Sequence, residues 1–204
     1  MRFIAHRRNT LEDLRTTPAS CGVEVDIRSQ GNGLVIHHDP FEPGEPFDPW
    51  IEEYNHGTLI LNVKEEGLEE RLMETMRRRG IEDYFFLDQS FPFLIKTALG
   101  GERRCAVRVS EFESLDTALA LAPMLDWVWV DCFTRFPLEQ ADWTRLEEAG
   151  LKLCLVSPDL LGRTEPSEVR ELGARFREWG VIPDAVCCKL GFIPRWEQEL
   201  YGVQ

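Results

Sequence analysis

Eight short apolar runs rich in Val, Ile, Phe and Trp recur through the chain at residues 2–6, 22–28, 58–64, 83–90, 104–110, 126–133, 152–158 and 184–190. Runs of this length, bounded by polar and turn residues, read as buried strands, and helical patterns fill most of the intervals between them. Parallel strands need a crossover connection, so strand and helix in alternation imply a parallel sheet with helices packed outside it. Eight such units, running the length of the chain, predict an α/β fold: a compact (β/α)8 TIM barrel forming one domain over residues 1–204. An open, doubly wound sheet is the competing arrangement.

The helical segments carry their own start and stop signals. Residues 65–80 have acidic side chains in the first turns, Arg77, Arg78 and Arg79 in the last, and Gly80 as a stop, which matches the helix dipole and the usual C-cap. Residues 114–124, 137–150 and 165–180 read the same way. The long second interval contains Gln30-Gly31-Asn32-Gly33 between the second run and residues 34–38, which predicts a β-hairpin after strand 2. The Pro-rich stretch 40–50 then reads as a loop.

Lysine and arginine number 23 against 36 acidic residues, a net charge of −13. So negative a surface repels phosphate backbones and anionic headgroups, so neither nucleic acid nor a membrane is an expected partner. No stretch approaches the roughly 18 apolar residues of a membrane span, and the first residues lack the basic-then-apolar run of a signal peptide, which together predict a cytoplasmic protein. The six cysteines have no CxxC spacing and lie mostly in apolar runs, so they are expected to be reduced and buried.

In a barrel of this kind the chemistry gathers where strands end, so the polar residues closing each apolar run are the informative ones. The first run ends in His6 and Arg7, and the second carries Glu24, Asp26 and Arg28 at alternate positions. The third ends in Asn62 and Lys64, the fourth in Asp88, the fifth in Arg108, and a later one contributes Asp131. Side chains at i and i+2 of a strand share a face, so Glu24 and Asp26 point together. Two carboxylates facing a helix-packed shell would be buried and unpaired at a cost of several kcal/mol each, whereas at a barrel mouth they can hold a hard divalent cation. His6 and His38 each end an apolar segment, and two imidazoles flanking a phosphodiester can act as base and acid. Glu111 and Glu113 read as a solvated loop. Trp127 and Trp129 read as core packing.

These residues, in this order, resemble the glycerophosphodiester phosphodiesterase family, within the wider superfamily of barrel phosphodiesterases that includes phosphatidylinositol-specific phospholipase C. The matching pieces are His6-Arg7 with Asn9-Thr10, then Gly22-Val23-Glu24-Val25-Asp26, then Gly33-Leu34-Val35-Ile36-His37-His38-Asp39. Asn62-Val63-Lys64 and Gln89-Ser90-Phe91 fall where that family has its next two motifs, so the resemblance covers about the first 95 residues.

The resemblance implies a phosphodiester hydrolase that uses a divalent cation, Mg2+ or Ca2+, on a small soluble diester of the glycerophosphodiester kind. Carried over position by position, His6 and His38 are the catalytic acid and base, Arg7 and Lys64 meet the phosphate, and Glu24, Asp26 and Asn62 hold the metal. The resemblance also implies a substrate hydroxyl as the attacking group, consistent with the lack of any Ser-His or Cys-His arrangement. Two departures stand out. The family has Glu where this chain has Asn62, and an amide oxygen brings no charge to a cation; Asp88, Glu65 and Glu66 are the nearby carboxylates that could replace it. The family's Gly after His-Arg is Arg8 here. Two competing readings follow from these residues: a metal-independent phosphodiester lyase in which Arg28 or Lys64 supplies the positive charge, and a non-catalytic barrel that binds a phosphorylated ligand or partner protein.

Overall fold

The computed structural model describes residues 1–202. Every apolar run forms a strand: β1 (Arg2–Ala5), β2 (Gly22–Gln30), β5 (Leu59–Val63), β6 (Tyr84–Leu87), β7 (Ala106–Val109), β8 (Trp127–Val130), β9 (Lys152–Val156) and β10 (Ala185–Cys188). These eight are parallel where they pair. The curled sheet runs β6, β5, β2, β1, β10, β9, β8, β7, and a single parallel bridge, Phe86↔Cys105, links β6 to the start of β7. Of two further strands, β3 (Gly33–Ile36) lies antiparallel to β2, with Ile27↔Ile36 through Gln30↔Gly33 in register across Gly31-Asn32, and β4 (Glu45–Pro46) lies antiparallel to β3.

Among the described residues seven helices lie in the crossovers, α1 (Leu11–Thr16), α2 (Phe47–Glu53), α3 (Glu69–Arg79), α4 (Phe91–Leu99), α5 (Leu115–Leu121), α6 (Gln140–Glu148) and α7 (Pro166–Trp179), and an eighth, α8 (Ile193–Tyr201), follows β10. Thr10 caps α1 by accepting from the Asp13 amide, and Gly80 and Gly180 end α3 and α7 in the left-handed conformation that a side chain disfavours. The stretch read as a Pro-rich loop is corrected at its end. From Phe47 it is helical, because Phe47, Trp50 and Ile51 form a buried stripe, and Pro49, in the first turn, lacks only an amide hydrogen that no helical carbonyl would have accepted there. None of the described helices is long and apolar enough to cross a membrane.

Strand alternation divides the core in two. Val23, Val25, Leu59, Leu61, Phe86, Val128 and Val130 face the helices, while Ile4, Ile60, Phe85, Trp127, Trp129 and Cys187 face one another inside the curled sheet. Phe85 and Trp127 stack there with ring centres 4.5 Å apart. Gly22 permits the close approach of β2 to the start of β5, since a Cβ there would lie 2.5 Å from the Thr58 carbonyl oxygen. All six cysteines are buried and unpaired. The inner apolar plug occupies the early part of the strands. Beyond it, at their carboxyl ends, the inward positions become polar.

Candidate active site at the carboxyl ends of the strands

Glu24 and Asp26 occupy the inward positions of β2 and are fully buried, and Asn62 of β5 stands directly across from Asp26 in the parallel register. Each carboxylate is held by specific donors. Glu24 accepts the Arg7 backbone N–H at Oε2 (2.8 Å) and the Asn62 side-chain amide at Oε1 (2.8 Å). Asp26 accepts the Asn9 amide at Oδ2 (2.8 Å), and Asn9 Oδ1 in turn accepts the Asp26 backbone N–H at 3.1 Å. Lys64 Nζ lies 3.2 Å from Asp26 Oδ1, Arg7 Nε 3.7 Å from Asp26 Oδ2, and His6 Nε2 3.8 Å from Glu24 Oε2. Six of the seven sequence-predicted residues, His6, Arg7, Glu24, Asp26, Asn62 and Lys64, therefore meet in one cluster.

The seventh, His38, lies on the loop after β3. Its Nδ1 is 2.7 Å from Asp39 Oδ1, and that hydrogen bond holds the Asp39 carboxyl below its ordinary range. The loop is fastened to the cluster by the His37 amide, which donates to the Asp26 carbonyl (2.9 Å), and by Arg28, whose guanidinium donates to the His37 and His38 carbonyls at 3.1 and 2.8 Å. Arg28 also pairs with Glu65 at 3.5 Å, so its charge is spent on the loop and on that carboxylate. Glu65 in turn accepts from Ser29, and Asp88 pairs with Lys64 and Arg108, so both of these carboxylates already have partners away from Asn62.

Local backbone geometry aims the first strand's residues. Arg7 has φ 52°, a left-handed conformation that costs a non-glycine residue energy, and this turn brings its amide onto Glu24 while its side chain reaches Asp26. The Trp50 indole of α2 donates to the Arg8 carbonyl (3.0 Å), so the helix hidden in the Pro-rich stretch braces the same loop. Asn9 and Trp50 are the contributors that motif reading left without a role.

Two carboxylates, Glu24 and Asp26, meet two cations in the cluster, but Arg7 and Lys64 both lie on Asp26. Burial, reinforced by the neighbouring Asp26, pushes the Glu24 carboxyl up to about 7. Burial, and then the positive charge of Arg7, lowers His6 to about 4, with Lys64 and His38 acting in the same sense and Asp26 against it. His6 is therefore an uncharged imidazole at neutral pH and cannot offset the carboxylates. Among the described residues no three His, Cys, Asp or Glu side chains converge as a metal cluster. The donors are instead two buried carboxylates and an amide, and Asp26 Oδ1 and Asn62 Oδ1 accept no hydrogen bond there. Hard oxygen donors, a Glu24 carboxylate paired with no Lys or Arg, and an unsatisfied Asn62 Oδ1 are what a Mg2+ or Ca2+ ion uses, and the residues fit such an ion.

The neighbouring strand ends form a second cluster. Arg108 pairs with Asp88, Asp131 and Glu113, and Asp88, at φ 58°, also lies 3.5 Å from Lys64. Glu111, read from the sequence as a solvated loop residue, is corrected to a loop organiser. It accepts the backbone N–H groups of Phe133, Thr134 and Arg135 and the Thr134 hydroxyl, bonds that overcome desolvation and hold its carboxyl at about 2. The larger cavity of the molecule, about 680 Å3, lies at the opposite ends of the strands among Tyr84, Glu102 and Arg104, away from both clusters.

No family model and no curated protein sequence matches the chain. Solved structures do. A glycerophosphodiester phosphodiesterase from Agrobacterium tumefaciens str. C58 superposes with a TM-score of 0.67 at 14% identity, covering 98% of each chain. A glycerophosphoryl diester phosphodiesterase from Parabacteroides distasonis ATCC 8503 gives 0.62 at 14% identity, over 98% of this chain and 86% of that one. At this identity the likeness is one of fold.

Proposed function

We propose that the protein is a phosphodiester hydrolase acting on a small soluble diester of the glycerophosphodiester kind. Its single-domain (β/α)8 barrel would be closed by the Phe86↔Cys105 bridge, with a β-hairpin after its second strand. The observation that carries the reading is the meeting of His6, Arg7, Glu24, Asp26, Asn62 and Lys64 at one end of the strands, on a fold shared with two such enzymes.

Phosphoryl transfer asks a protein mainly for positioning and for positive charge where negative charge accumulates. Arg7 and Lys64 provide that charge: both lean on Asp26, which fixes them beside the open mouth. His6, uncharged at neutral pH, accepts the proton of the attacking hydroxyl. His38 delivers a proton to the departing alcohol, with Asp39 orienting its ring. Glu24, Asp26 and Asn62 would hold a divalent cation, and such an ion supplies Lewis-acid stabilisation of phosphate charge when bound.

A second reading has one specific observation behind it. The Lys64 ammonium already stands 3.2 Å from Asp26 Oδ1, so a fixed cation next to the carboxylates makes a metal-free lyase chemically workable. The test is purified protein assayed on a panel of glycerophosphodiesters with Mg2+, with Ca2+ and in chelator. Cleavage that needs the ion and falls about 100- to 10,000-fold in both His6→Ala and His38→Ala is the expected result. Full activity in chelator selects the lyase. Activity indifferent to both substitutions, or no product from any diester, overturns the catalytic reading.

A further inference from the structure

His38 stands on the stretch 37–44, which is neither strand nor helix and carries a fully exposed Phe41 at φ 67°. The stretch holds itself only locally, by His38 Nδ1 against Asp39 Oδ1 at 2.7 Å and by the Asp39 amide, which donates to His37 Nδ1 at 3.1 Å. Its backbone meets the sheet where the His37 amide donates to the Asp26 carbonyl (2.9 Å). Among the described residues, the one side chain from outside the stretch that hydrogen-bonds to it is that of Arg28.

Arg28 lies near the end of β2, opposite Val35 of β3, with its side chain 14% exposed. Its Nε donates to the His37 carbonyl at 3.1 Å and its Nη2 to the His38 carbonyl at 2.8 Å. The third nitrogen, Nη1, lies 3.5 Å from Glu65 Oε1, and Glu65 is itself fixed by the Ser29 amide, which donates to its Oε2 at 3.0 Å. Three nitrogens of one planar fork thus serve three acceptors. A lysine ammonium, as a single point of charge, does not span them.

We infer that Arg28, braced by Glu65, is a positioning residue of the proposed reaction, which sets the reach of the His38 ring to the departing oxygen. The inference rests on the phosphodiesterase reading for the role of His38. In that step the P–O bond to the departing alcohol breaks and its electron pair stays on the alcohol oxygen. The proton on His38 Nε2, the ring nitrogen that Asp39 leaves free, moves to that oxygen. An alkyl alcohol departs poorly without this proton, and a misplacement of about 1 Å costs about 100-fold. A nitrophenolate departs as a stable anion and does not need it. Loss of Arg28 is therefore selective: it slows cleavage of the first kind of ester and spares the second.

The experiment compares kcat on two diesters of glycerol phosphate, ethyl and p-nitrophenyl, with Mg2+ present. Arg28→Gln is expected to lower kcat on the ethyl ester about 10- to 100-fold and on the p-nitrophenyl ester less than about threefold. Arg28→Lys recovers only part of the loss. Glu65→Gln leaves Arg28 in place without its brace, gives a smaller split in the same direction, and serves should Arg28→Gln not fold. Without substrate, exchange of the His37 amide, followed by NMR, quickens about tenfold in both variants. His38→Ala is the reference and shows the largest split. Equal losses on the two esters in the Arg28 and Glu65 variants, or unchanged exchange, overturn the inference alone when His38→Ala keeps its split. No split in His38→Ala, or no cleavage of either ester by the unaltered protein, overturns the catalytic reading and this inference with it.

Discussion

The two halves of the strand mouth hold similar side chains in opposite states. On β1, β2 and β5, two fully buried carboxylates face an uncharged histidine, Arg7 and Lys64 both lie on Asp26 and leave Glu24 without a cation, and Asn62 Oδ1 accepts no hydrogen bond among the described residues. On β7 and β8, Arg108 is met by three carboxylates, and Glu111 is saturated by three backbone amides and a hydroxyl. Burying polar groups without partners costs free energy, so such a deficit beside two buried carboxylates at a strand mouth is read as room for something else to be bound. The first half is therefore read as chemistry and the second as architecture.

Four substitutions press on that contrast. Lys64→Met removes the cation of the incomplete half and lowers kcat about 100- to 1,000-fold in a steady-state assay; a loss under tenfold would place Lys64 with the structural ion pairs. Asn62→Glu adds the third carboxylate and tightens Mg2+ or Ca2+ binding about tenfold by calorimetry, and unchanged affinity would mean the ion is not held there. Glu111→Ala, in the saturated half, costs about 1–2 kcal/mol of stability in urea denaturation through its lost hydrogen bonds, with kcat unchanged. Glu24→Gln has the clearest sign. The native state holds the Glu24 proton more tightly than the unfolded chain does, so its contribution is present at low pH and is lost as pH rises from about 4.5 to about 7. The variant therefore gains on the unaltered protein between pH 5 and pH 8. Asn62 can turn its unsatisfied Oδ1 toward the new amide, which keeps the comparison free of a lost hydrogen bond.

Much of this was legible in the sequence because the signal was periodic. All eight strands lie on apolar runs, and alternation within β2 put Glu24 and Asp26 on one face before any coordinate was known. Helices α2, α4 and α8 went unread: each is short, seven or nine residues, and carries a proline within its first turn, whereas the fourteen-residue α7 shows its apolar stripe despite Pro166. Within the site, the pairings were the unreadable part. That Arg28 clamps the His37-His38 backbone, that Asn9 bridges to Asp26, and that Asp88 is shared by Lys64 and Arg108 depend on contacts 9 to 24 residues apart, which no local pattern encodes. Glu111 was misread for the same reason, its partners lying 22 to 24 residues further on.

The thin seam between β6 and β7 also says where this chain can be divided. The exposed Gly100-Gly101 turn precedes it, so a break there yields two pieces whose continuous strand-to-strand border is the β1–β10 ladder from Arg2↔Ala185 to Ala5↔Cys188. His6, Arg7, Glu24, Asp26, His38, Asn62 and Lys64 all stay on the first piece, while the second contributes half of the wall and Arg108. The proposed chemistry thus lies on one contiguous segment, and the second piece acts on it through β10, whose Cys188 carbonyl accepts the His6 amide (2.9 Å), and through Arg108, which reaches Asp88 beside Lys64.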